Sequence, residues 1–133
     1  MRIVIMGCGR VGAHLANTMY RDHDITIVDR SPDAFERLLP EFTGRTVVGP
    51  GDDPDVLVQA GIRQADALAA LTNRDNVNIM VSQMARELFH VPRVITRIYD
   101  HEREDTYHDL GLETICPTEA GAQLFEEIIT AVE

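Results

Sequence analysis

The sequence predicts a single α/β domain built on a six-stranded, doubly wound parallel sheet. Short apolar runs alternate with helical patterns along the 133 residues, and such β-α alternation is typical of a parallel sheet with helices on both faces. The first, second and fifth runs are rich in Ile and Val and almost free of charge, as expected of strands covered on both sides. No linker interrupts the pattern, so we expect one domain over 1–133 and no second, C-terminal domain. The predicted strands are Ile3–Met6, Ile25–Val28, Thr46–Val48, Ala67–Leu71, Val94–Ile98 and Thr114–Cys116.

The segments between these strands carry residues that favour helix ends. Ser, Asp or Thr precedes the predicted starts, Pro occupies two first helical positions, and Gly or Pro follows several ends. The expected helices cover 10–22, 32–39 capped by Ser31, 54–60 capped by Asp53, 74–89, 101–110 capped by Asp100, and a last helix capped by Thr118 that runs to about Ala131. Gly61 and Gly111 are the predicted stops of the third and fifth of these helices.

The acidic balance of the chain limits its partners. Asp and Glu number 22 against 12 Lys plus Arg, a net charge of −10, which repels phosphate backbones and argues against a nucleic-acid partner. No apolar run approaches the roughly 18 residues that span a bilayer, so direct membrane insertion is not expected. Cys8 and Cys116 form no CxxC or Cys/His cluster, which predicts reduced, buried thiols, no zinc site and a cytoplasmic protein.

A glycine-rich turn joins the first strand to the first helix, which is the context that a phosphate-binding loop requires. The first glycine allows a tight turn, the second lets a phosphate approach the backbone, and the third lets the helix pack closely on the strand. The helix N-terminus adds free N–H groups and the positive end of its dipole. The loop consists of Gly7, Cys8, Gly9, Arg10, Val11 and Gly12, and it makes the predicted fold Rossmann-type.

Charged residues near this loop suit a nucleotide. Asp29 ends the second strand, 17 residues after Gly12, near the spacing at which a carboxylate accepts hydrogen bonds from ribose hydroxyls. That carboxylate disfavours the 2′-phosphate of NADP, whereas the adjacent Arg30 softens the repulsion and leaves NADP open. Arg10 opposes the dipole of its own helix, so we interpret it as a ligand for phosphate.

Two later loops complete the predicted site. Asp52 follows a glycine-rich turn after the third strand and is placed to accept a hydrogen bond from the adenine amino group. Asp53 is counted with it, although its position before Pro54 favours a helix cap, so Asp52 is the better ligand candidate. Thr72 follows the fourth strand at the carboxyl edge, where ligands bind in open α/β sheets. The segment 72–76 also suits the start of the long helix.

Five segments taken together resemble the regulator of K⁺ conductance domain, also called the KTN or TrkA-N domain, of Trk and Ktr potassium-uptake gating subunits. They are GCGRVG, the strand-ending Asp29, GDDPD, LTNRDNVN and VITRIYDHERED with the following LG and PT. The resemblance covers Met1 to about Ile129. It implies a Rossmann domain that dimerises and stacks into rings below a cation channel or transporter, with ATP, ADP or NAD(H) as usual ligand and AMP in some members.

The resemblance also implies roles for individual residues. The loop would hold the phosphates, Asp29 the ribose and Asp52 the adenine, and Thr72 would lie near the ribose and phosphate. Arg97, on the fifth strand, resembles an arginine that reaches toward the ligand or a neighbouring subunit; an ordinary salt bridge is the alternative. The full predicted site is Gly7, Cys8, Gly9, Arg10, Val11, Gly12, Asp29, Arg30, Asp52, Asp53, Thr72 and Arg97.

Two departures from the family pattern limit these expectations. Gating subunits often carry a second C-terminal domain, and we expect none within these 133 residues, because the β-α pattern uses all of them. Some members place Glu directly after the proline before the last helix, where it helps to bind a divalent ion between subunits. Thr118 follows Pro117 in this chain and Glu119 comes one position later, so no metal is predicted.

Two helices carry more apolar residues than one sheet contact needs. Such a surplus predicts a homodimer or a ring-like homo-oligomer, with packing in the protein's own core as the alternative. The apolar stripe of the long helix comprises Val77, Met80, Val81, Met84 and Leu88, and that of the last helix comprises Gly121, Leu124, Phe125, Ile128 and Ile129.

The sequence therefore predicts a nucleotide-sensing regulatory domain, not an enzyme, held at the inner face of the membrane through a membrane-embedded cation transporter. Two alternatives stay open. One is the cofactor domain of an NAD-dependent oxidoreductase that lacks its substrate domain, although no paired acid and base of the kind that hydride transfer needs is evident. The other is an interaction module whose nucleotide is purely structural.

Overall fold

The computed structural model describes residues 1–132 and contains the expected six-stranded parallel sheet. The strand order is β3-β2-β1-β4-β5-β6, and every neighbouring pair is parallel. Because β1 lies between β2 and β4, the chain winds outward from the centre in both directions. The strands are β1 Arg2–Met6, β2 Asp24–Asp29, β3 Arg45–Val48, β4 Ala67–Ala70, β5 Arg93–Arg97 and β6 Glu113–Ile115, each within one residue of its predicted bounds.

Helices follow all but two of the strands directly, and 3₁₀ segments complete the connections. The α-helices are α1 Arg10–Met19, α2 Pro54–Gln59, α3 Asp75–Glu87, α4 Glu104–Asp109 and α5 Pro117–Ile129. The 3₁₀ helices are Pro32–Arg37, Ile62–Gln64 and His101–Arg103. Across the described part of the chain, none of these helices combines the length and apolarity that a membrane crossing requires.

Two predicted caps and two predicted stops are confirmed. The Asp53 carboxylate accepts from the Asp55 N–H at 2.9 Å, and the Asp100 carboxylate accepts from the Glu102 N–H at 3.1 Å. Gly61 and Gly111 adopt φ values of +87° and +78°, which glycine reaches without the steric cost of a Cβ.

Other helix boundaries differ from the prediction. The segment after Ser31 is a 3₁₀ helix, not an α-helix. Ser31 is its N-cap residue and its carbonyl accepts from the Ala34 N–H, but its side chain makes no capping hydrogen bond. Thr118 lies inside α5, because Pro117 needs no N–H partner and serves as the first helical residue. The first helix ends at Met19, where the chain turns back toward β2.

The start of α3 also differs from the prediction. Its N-cap residue, Arg74, makes no side-chain hydrogen bond to the helix. The Asp75 carboxylate reaches the neighbouring loop instead and accepts from the N–H groups of Tyr99 and Asp100 at 2.8 and 3.1 Å. The segment 72–76 therefore joins two loops of the sheet edge in addition to starting a helix.

The apolar core has two main layers, one on each face of the sheet, and a smaller third cluster of Ile98, Tyr107 and Cys116. Alternate residues of β1 point to opposite faces, with Ile3 and Ile5 in one layer and Val4 and Met6 in the other. The first layer is covered by α1 and the Pro32–Arg37 segment, the second by α2 and α3. This arrangement confirms the doubly wound sheet.

The long helix α3 buries only part of the stripe that its apolar residues form. Its fully buried residues are Asn78, Val81, Ser82 and Ala85, whereas two residues of the predicted stripe, Met80 and Leu88, are 48% and 60% exposed. Asn78 and Ser82 satisfy their polar groups by hydrogen bonds to the sheet. Val77 and Met84 are partly buried and pack against the core. The core face of α3 therefore combines polar and apolar side chains, and the apolar stripe identified it only in part.

The last helix has no buried residue. Its predicted stripe faces outward, with Leu124, Phe125, Ile128 and Ile129 between 60% and 79% exposed. The stripe therefore does not pack in the core of the described chain.

Candidate functional site

A cavity of about 1240 Å³ opens at the carboxyl edge of the sheet, where β1, β2, β4 and β5 end. In open α/β sheets this is the place where the winding direction changes and where ligands bind. Residues from five separate segments of the chain line it. They are Met6, Cys8–Val11, Asp29–Ser31, Asp33, Ala34, Glu36, Arg37, Pro50–Asp52, Leu71–Arg74, Val77, Arg97 and Tyr99.

Two glycines of the loop are required by the protein's own packing. Gly7 has a φ of +107°, and a Cβ there would lie 2.9 Å from backbone atoms of Leu71 and Thr72. A Cβ on Gly12 would collide with the carbonyl oxygen of Gly7. Neither residue lines the cavity, so these two glycines shape the turn without facing the space a ligand would occupy.

Gly9 has the opposite surroundings. A Cβ at this position would meet no atom within 4 Å, and Gly9 lines the cavity as the N-cap residue of α1. The helix has neither a side-chain cap nor an acidic residue in its first turn. Its first N–H groups are therefore available to an anion.

The Asp29 carboxylate joins the glycine loop to the segment after β2. One oxygen accepts from the Cys8 N–H at 2.8 Å, and the other accepts from the Ser31 N–H at 2.9 Å. Each oxygen retains a lone pair for a ligand, and the residue lines the cavity. Asp29 consequently acts as a structural bridge as well as a potential ligand contact.

Cys8 contributes backbone and not sulfur to the site. Its thiol is fully buried and donates to the Ala34 carbonyl at 3.3 Å. Burial raises the pKa of this thiol to about 11, and the Asp29 charge adds to the effect, while Arg37 opposes it. A thiol that stays protonated at neutral pH is a poor nucleophile, so Cys8 packs behind the loop.

The two predicted aspartates after β3 have different surroundings. Asp52 is exposed and lines the cavity, beside Gly51, which packs on the Met6 sulfur. Asp53 is absent from the cavity lining and caps α2. The structure therefore brings Asp52, but not Asp53, to the other candidate residues.

A buried asparagine joins the two strands on the far side of the cavity. Asn78 accepts from the Thr72 N–H and hydroxyl at 2.9 and 2.6 Å and donates to the carbonyls of Thr72 and Arg97, both at 3.0 Å. These bonds fix the ends of β4 and β5 relative to each other. Thr72 lines the cavity, but its hydroxyl group already donates its proton to the Asn78 side chain.

Arginines concentrate around this cavity. Five of the chain's twelve basic residues line it, against four carboxylates, in a protein whose net charge is −10. The arginines are Arg10, Arg30, Arg37, Arg74 and Arg97, and the carboxylates are Asp29, Asp33, Glu36 and Asp52. The cavity is therefore much less acidic than the remaining surface and can accept an anion.

Arg97 is only partly exposed, and its side chain is incompletely satisfied. Its guanidinium lies 5.6 Å from the centre of the Tyr99 ring, and its Nε atom is buried with no hydrogen-bond partner among residues 1–132. The salt bridge that was the alternative for this residue is not found in the described chain. An unpaired donor at the cavity wall is a group that an acceptor on a ligand can satisfy.

Sequence reasoning missed several residues of the cavity wall. Arg37 donates to the Cys8 carbonyl at 3.4 Å and reaches the cavity from the 3₁₀ segment. Arg74 and Tyr99 reach it from the loops after β4 and β5. Their position after a strand was the only available signal, because only the fold shows that these loops meet.

The fold and the cavity define an α/β domain with a glycine-rich loop at the switch point of a doubly wound sheet. The family model of the TrkA-N domain matches residues 3–117, and the chain belongs to this family. This confirms the resemblance found from the sequence.

Among curated proteins, the chain is similar to the Trk system potassium uptake protein TrkA of Streptomyces coelicolor, with 47% identity over 116 residues, 86% of this chain and 52% of the relative. It is also similar to the TrkA homolog of Methanothermobacter thermautotrophicus, with 32% identity over 98% of this chain and 61% of the relative. The chain thus spans roughly half of the length of these relatives.

Solved structures share the fold. The TrkA-N domain of the Escherichia coli inner membrane protein ybaL superposes with a TM-score of 0.83 at 18% identity, covering 96% of this chain and 95% of that one. GsuK bound to ADP superposes with a TM-score of 0.79 at 25% identity, covering 97% of this chain and 34% of that one. GsuK has also been solved bound to NAD.

Proposed function

We propose that this domain binds an adenine nucleotide in the cavity at the carboxyl edge and that the nucleotide regulates a potassium-uptake system. One observation carries the proposal. An acidic chain gathers five arginines around a cavity into which an uncapped helix N-terminus opens. Cations and free N–H groups in one cavity suit a phosphorylated ligand.

The phosphates would lie against Gly9 and the first turn of α1. Arg10 begins that turn, is exposed and has no hydrogen-bond or ion-pair partner within residues 1–132. A cation at this place opposes the helix dipole, and a bound phosphate would offset that cost. Arg10 would respond to the number of phosphates, since a longer phosphate chain offers it more charge.

The sugar and base would lie toward β2 and β3. The lone pairs that remain on Asp29 can accept from ribose hydroxyls, and Asp52 can accept from the adenine amino group. Arg30 and Arg37 line the cavity together with Asp29, and their charge would offset the repulsion between Asp29 and a 2′-phosphate. Arg97, with its unsatisfied Nε, would contact the ligand from β5.

The similar proteins favour regulation over catalysis. The curated relatives are named for potassium uptake, and GsuK, at 25% identity, has been solved with ADP and with NAD. These names support an adenine nucleotide without selecting one, and they support a regulatory domain in preference to the cofactor domain of an oxidoreductase. We therefore propose that the chain is not an enzyme.

The assembly is proposed on the same basis. Four apolar side chains of α5 are more than half exposed, and a stripe of this size is more stable when a second copy covers it. We propose a homodimer, or a larger ring, that contacts a membrane-embedded cation transporter from the cytoplasm. Different ligands would then bias the assembly between two arrangements.

Thermal unfolding of the purified chain with ATP, ADP, AMP, NAD⁺, NADH and NADP⁺ tests nucleotide binding. A ligand at about 100 times its Kd adds about 2.7 kcal/mol to the free energy of unfolding, which raises Tm by several degrees for a domain of this size. We expect at least one adenine nucleotide to produce this shift and Arg10→Ala to reduce it.

Arg93→Ala is the matched control, because Arg93 is an exposed arginine at the opposite end of β5 and should leave the shift unchanged. If no nucleotide raises Tm and none co-purifies with the protein, the cavity is not a nucleotide site and the proposal is wrong. A nucleotide that stays bound through dialysis and cannot be exchanged would instead support a purely structural ligand.

A further inference from the structure

Three metal-ligating side chains converge outside the cavity. The Nδ1 atom of His101 lies 3.2 Å from a carboxylate oxygen of Glu104 and 2.6 Å from one of Glu119. The three potential ligand atoms all lie within 4.8 Å of one another. His101 begins a 3₁₀ helix, Glu104 begins α4, and Glu119 lies in the first turn of α5, so the group joins three elements.

We propose that His101, Glu104 and Glu119 bind a divalent transition-metal ion, with Zn²⁺ the best match to the ligand set. One imidazole nitrogen and two carboxylates are ligand types that zinc accepts, and three protein ligands with an open fourth position are a common zinc arrangement. This site does not depend on nucleotide binding, because none of the three residues lines the cavity.

The three side chains have too few protons to satisfy one another, and this favours a bound cation. Both carboxylates approach the same nitrogen, and that nitrogen carries at most one proton. One N–H cannot make two strong hydrogen bonds, and the two carboxylates repel each other. A divalent ion removes both problems, because all three atoms can then direct lone pairs at it while the imidazole proton resides on Nε2.

The surroundings suit a site that exchanges its ion with solvent. Glu104 is the least exposed of the three and accepts a hydrogen bond from the Thr114 hydroxyl at 3.3 Å through its other oxygen. Such a second contact orients a ligating carboxylate. The His101 and Glu119 side chains are 58% and 49% exposed, which leaves an entry path and room for a water ligand.

Only small side-chain rotations are needed for coordination. Zn–N and Zn–O bonds of about 2.0–2.2 Å place the ligand atoms of a tetrahedral site roughly 3.3–3.5 Å apart. The 2.6 Å contact between His101 and Glu119 must therefore widen, whereas the 3.2 Å contact between His101 and Glu104 is already close to that spacing. The exposed Glu119 carboxylate can make this adjustment by rotation. The ion would then fasten α5, which contributes no buried residue, to the end of the sheet.

Isothermal titration calorimetry with Zn²⁺ tests the site on chelator-treated, tag-free protein. We expect one saturable equivalent per chain. His101→Asn and Glu119→Gln should each weaken the affinity at least tenfold, and Mg²⁺ should bind far more weakly, because it prefers oxygen ligands to imidazole. Circular dichroism of each variant verifies that it remains folded.

Three controls separate this site from other zinc ligands. His108→Asn and Glu126→Gln remove a histidine and a carboxylate of the same region that are outside the group, and both should bind zinc as the unaltered protein does. Cys116→Ala tests the buried thiol before α5 and should also have no effect. Absence of saturable zinc binding, or zinc binding that persists in His101→Asn and Glu119→Gln, would overturn the proposal.

Discussion

Glycines of one motif serve different purposes at the residue scale. Gly9 faces open space at the cavity, whereas Gly12 touches the carbonyl of Gly7 so closely that no Cβ fits. A substitution at Gly9 should therefore act on the ligand, and one at Gly12 should act on the fold.

We expect Gly12→Ala to destabilise the domain. Overpacking costs about 1–3 kcal/mol, and the higher helix propensity of Ala offsets up to about 1 kcal/mol of this, so a net loss of about 1–2 kcal/mol is expected. Urea unfolding measures it. Gly121→Ala is the control, because its Cβ meets nothing within 4 Å and helix propensity alone predicts a gain of about 0.5–1 kcal/mol. Equal effects of the two substitutions would contradict the packing explanation.

The buried thiol of Cys8 should make stability depend on alkaline pH. Its pKa rises from 9.0 to about 11 on folding, so the folded state holds the proton more tightly than the unfolded state does. This contribution is fully present below pH 9 and is lost as the pH rises toward 11, and its size is roughly 2–3 kcal/mol at about 1.4 kcal/mol per unit.

The measurement is urea unfolding of the unaltered protein and Cys8→Ala between about pH 8 and pH 11. Other groups that titrate in this range are common to both proteins, so the difference between their unfolding free energies isolates Cys8. We expect the difference to shrink with rising pH, and parallel curves would show that the thiol does not titrate with the fold.

At the scale of elements, α3 and α5 differ in the contacts that their faces make. The core face of α3 includes Asn78 and Ser82, which hydrogen-bond to β5 and to Thr72 after β4, beside the buried apolar Val81 and Ala85. The apolar residues of α5 find no partner within the described part of the domain. Helix α3 therefore holds the sheet edge in place, and the exposed apolar residues of α5 are free to contact another copy.

We expect Phe125→Glu to weaken self-association. Phe125 is 71% exposed at the middle of the α5 stripe, so a charge there would have to be desolvated in a dimer but not in the monomer. Sedimentation velocity over a range of concentrations measures the effect. Gln123→Glu places the same charge on the opposite side of the helix and should leave association unchanged. A monomer in the unaltered protein would contradict the proposed dimer.

At the scale of the whole molecule, stability should be distributed unevenly. The central strand β1 supplies Ile5 and Met6 to the two core layers, whereas α5 is a 13-residue helix without a buried residue. Isolated helices of that length are marginal in water. The core should open only with the global unfolding transition, and α5 should open locally.

Hydrogen exchange detected by mass spectrometry can test this distribution. At low protein concentration we expect α5 amides to exchange at least about 100-fold faster than those of β1. Raising the concentration should protect α5 if a second copy covers it, and a nucleotide should protect the glycine loop without protecting α5. Uniform protection of the chain would contradict the prediction.

The sequence by itself determined the six strands, the parallel α/β class, the glycine loop and the acidic end of β2. Each depends on neighbouring residues: apolar runs, glycine spacing, and caps such as Asp53 and Asp100. The helix start after Ser31 was predicted correctly, but local turn bonds make the segment a 3₁₀ helix, and the predicted cap at Thr118 lies two residues after the observed N-cap, Cys116, because Pro117 is the first helical residue.

Only the tertiary structure decided which residues meet. Arg37, Arg74 and Tyr99 reach one cavity from three loops, and Asn78 joins two strands that the sequence alone does not place side by side. The same holds for the His101, Glu104 and Glu119 group. Strand order and helix rotation bring these side chains together, and both arise from packing between segments that are far apart along the chain, which a local pattern cannot encode.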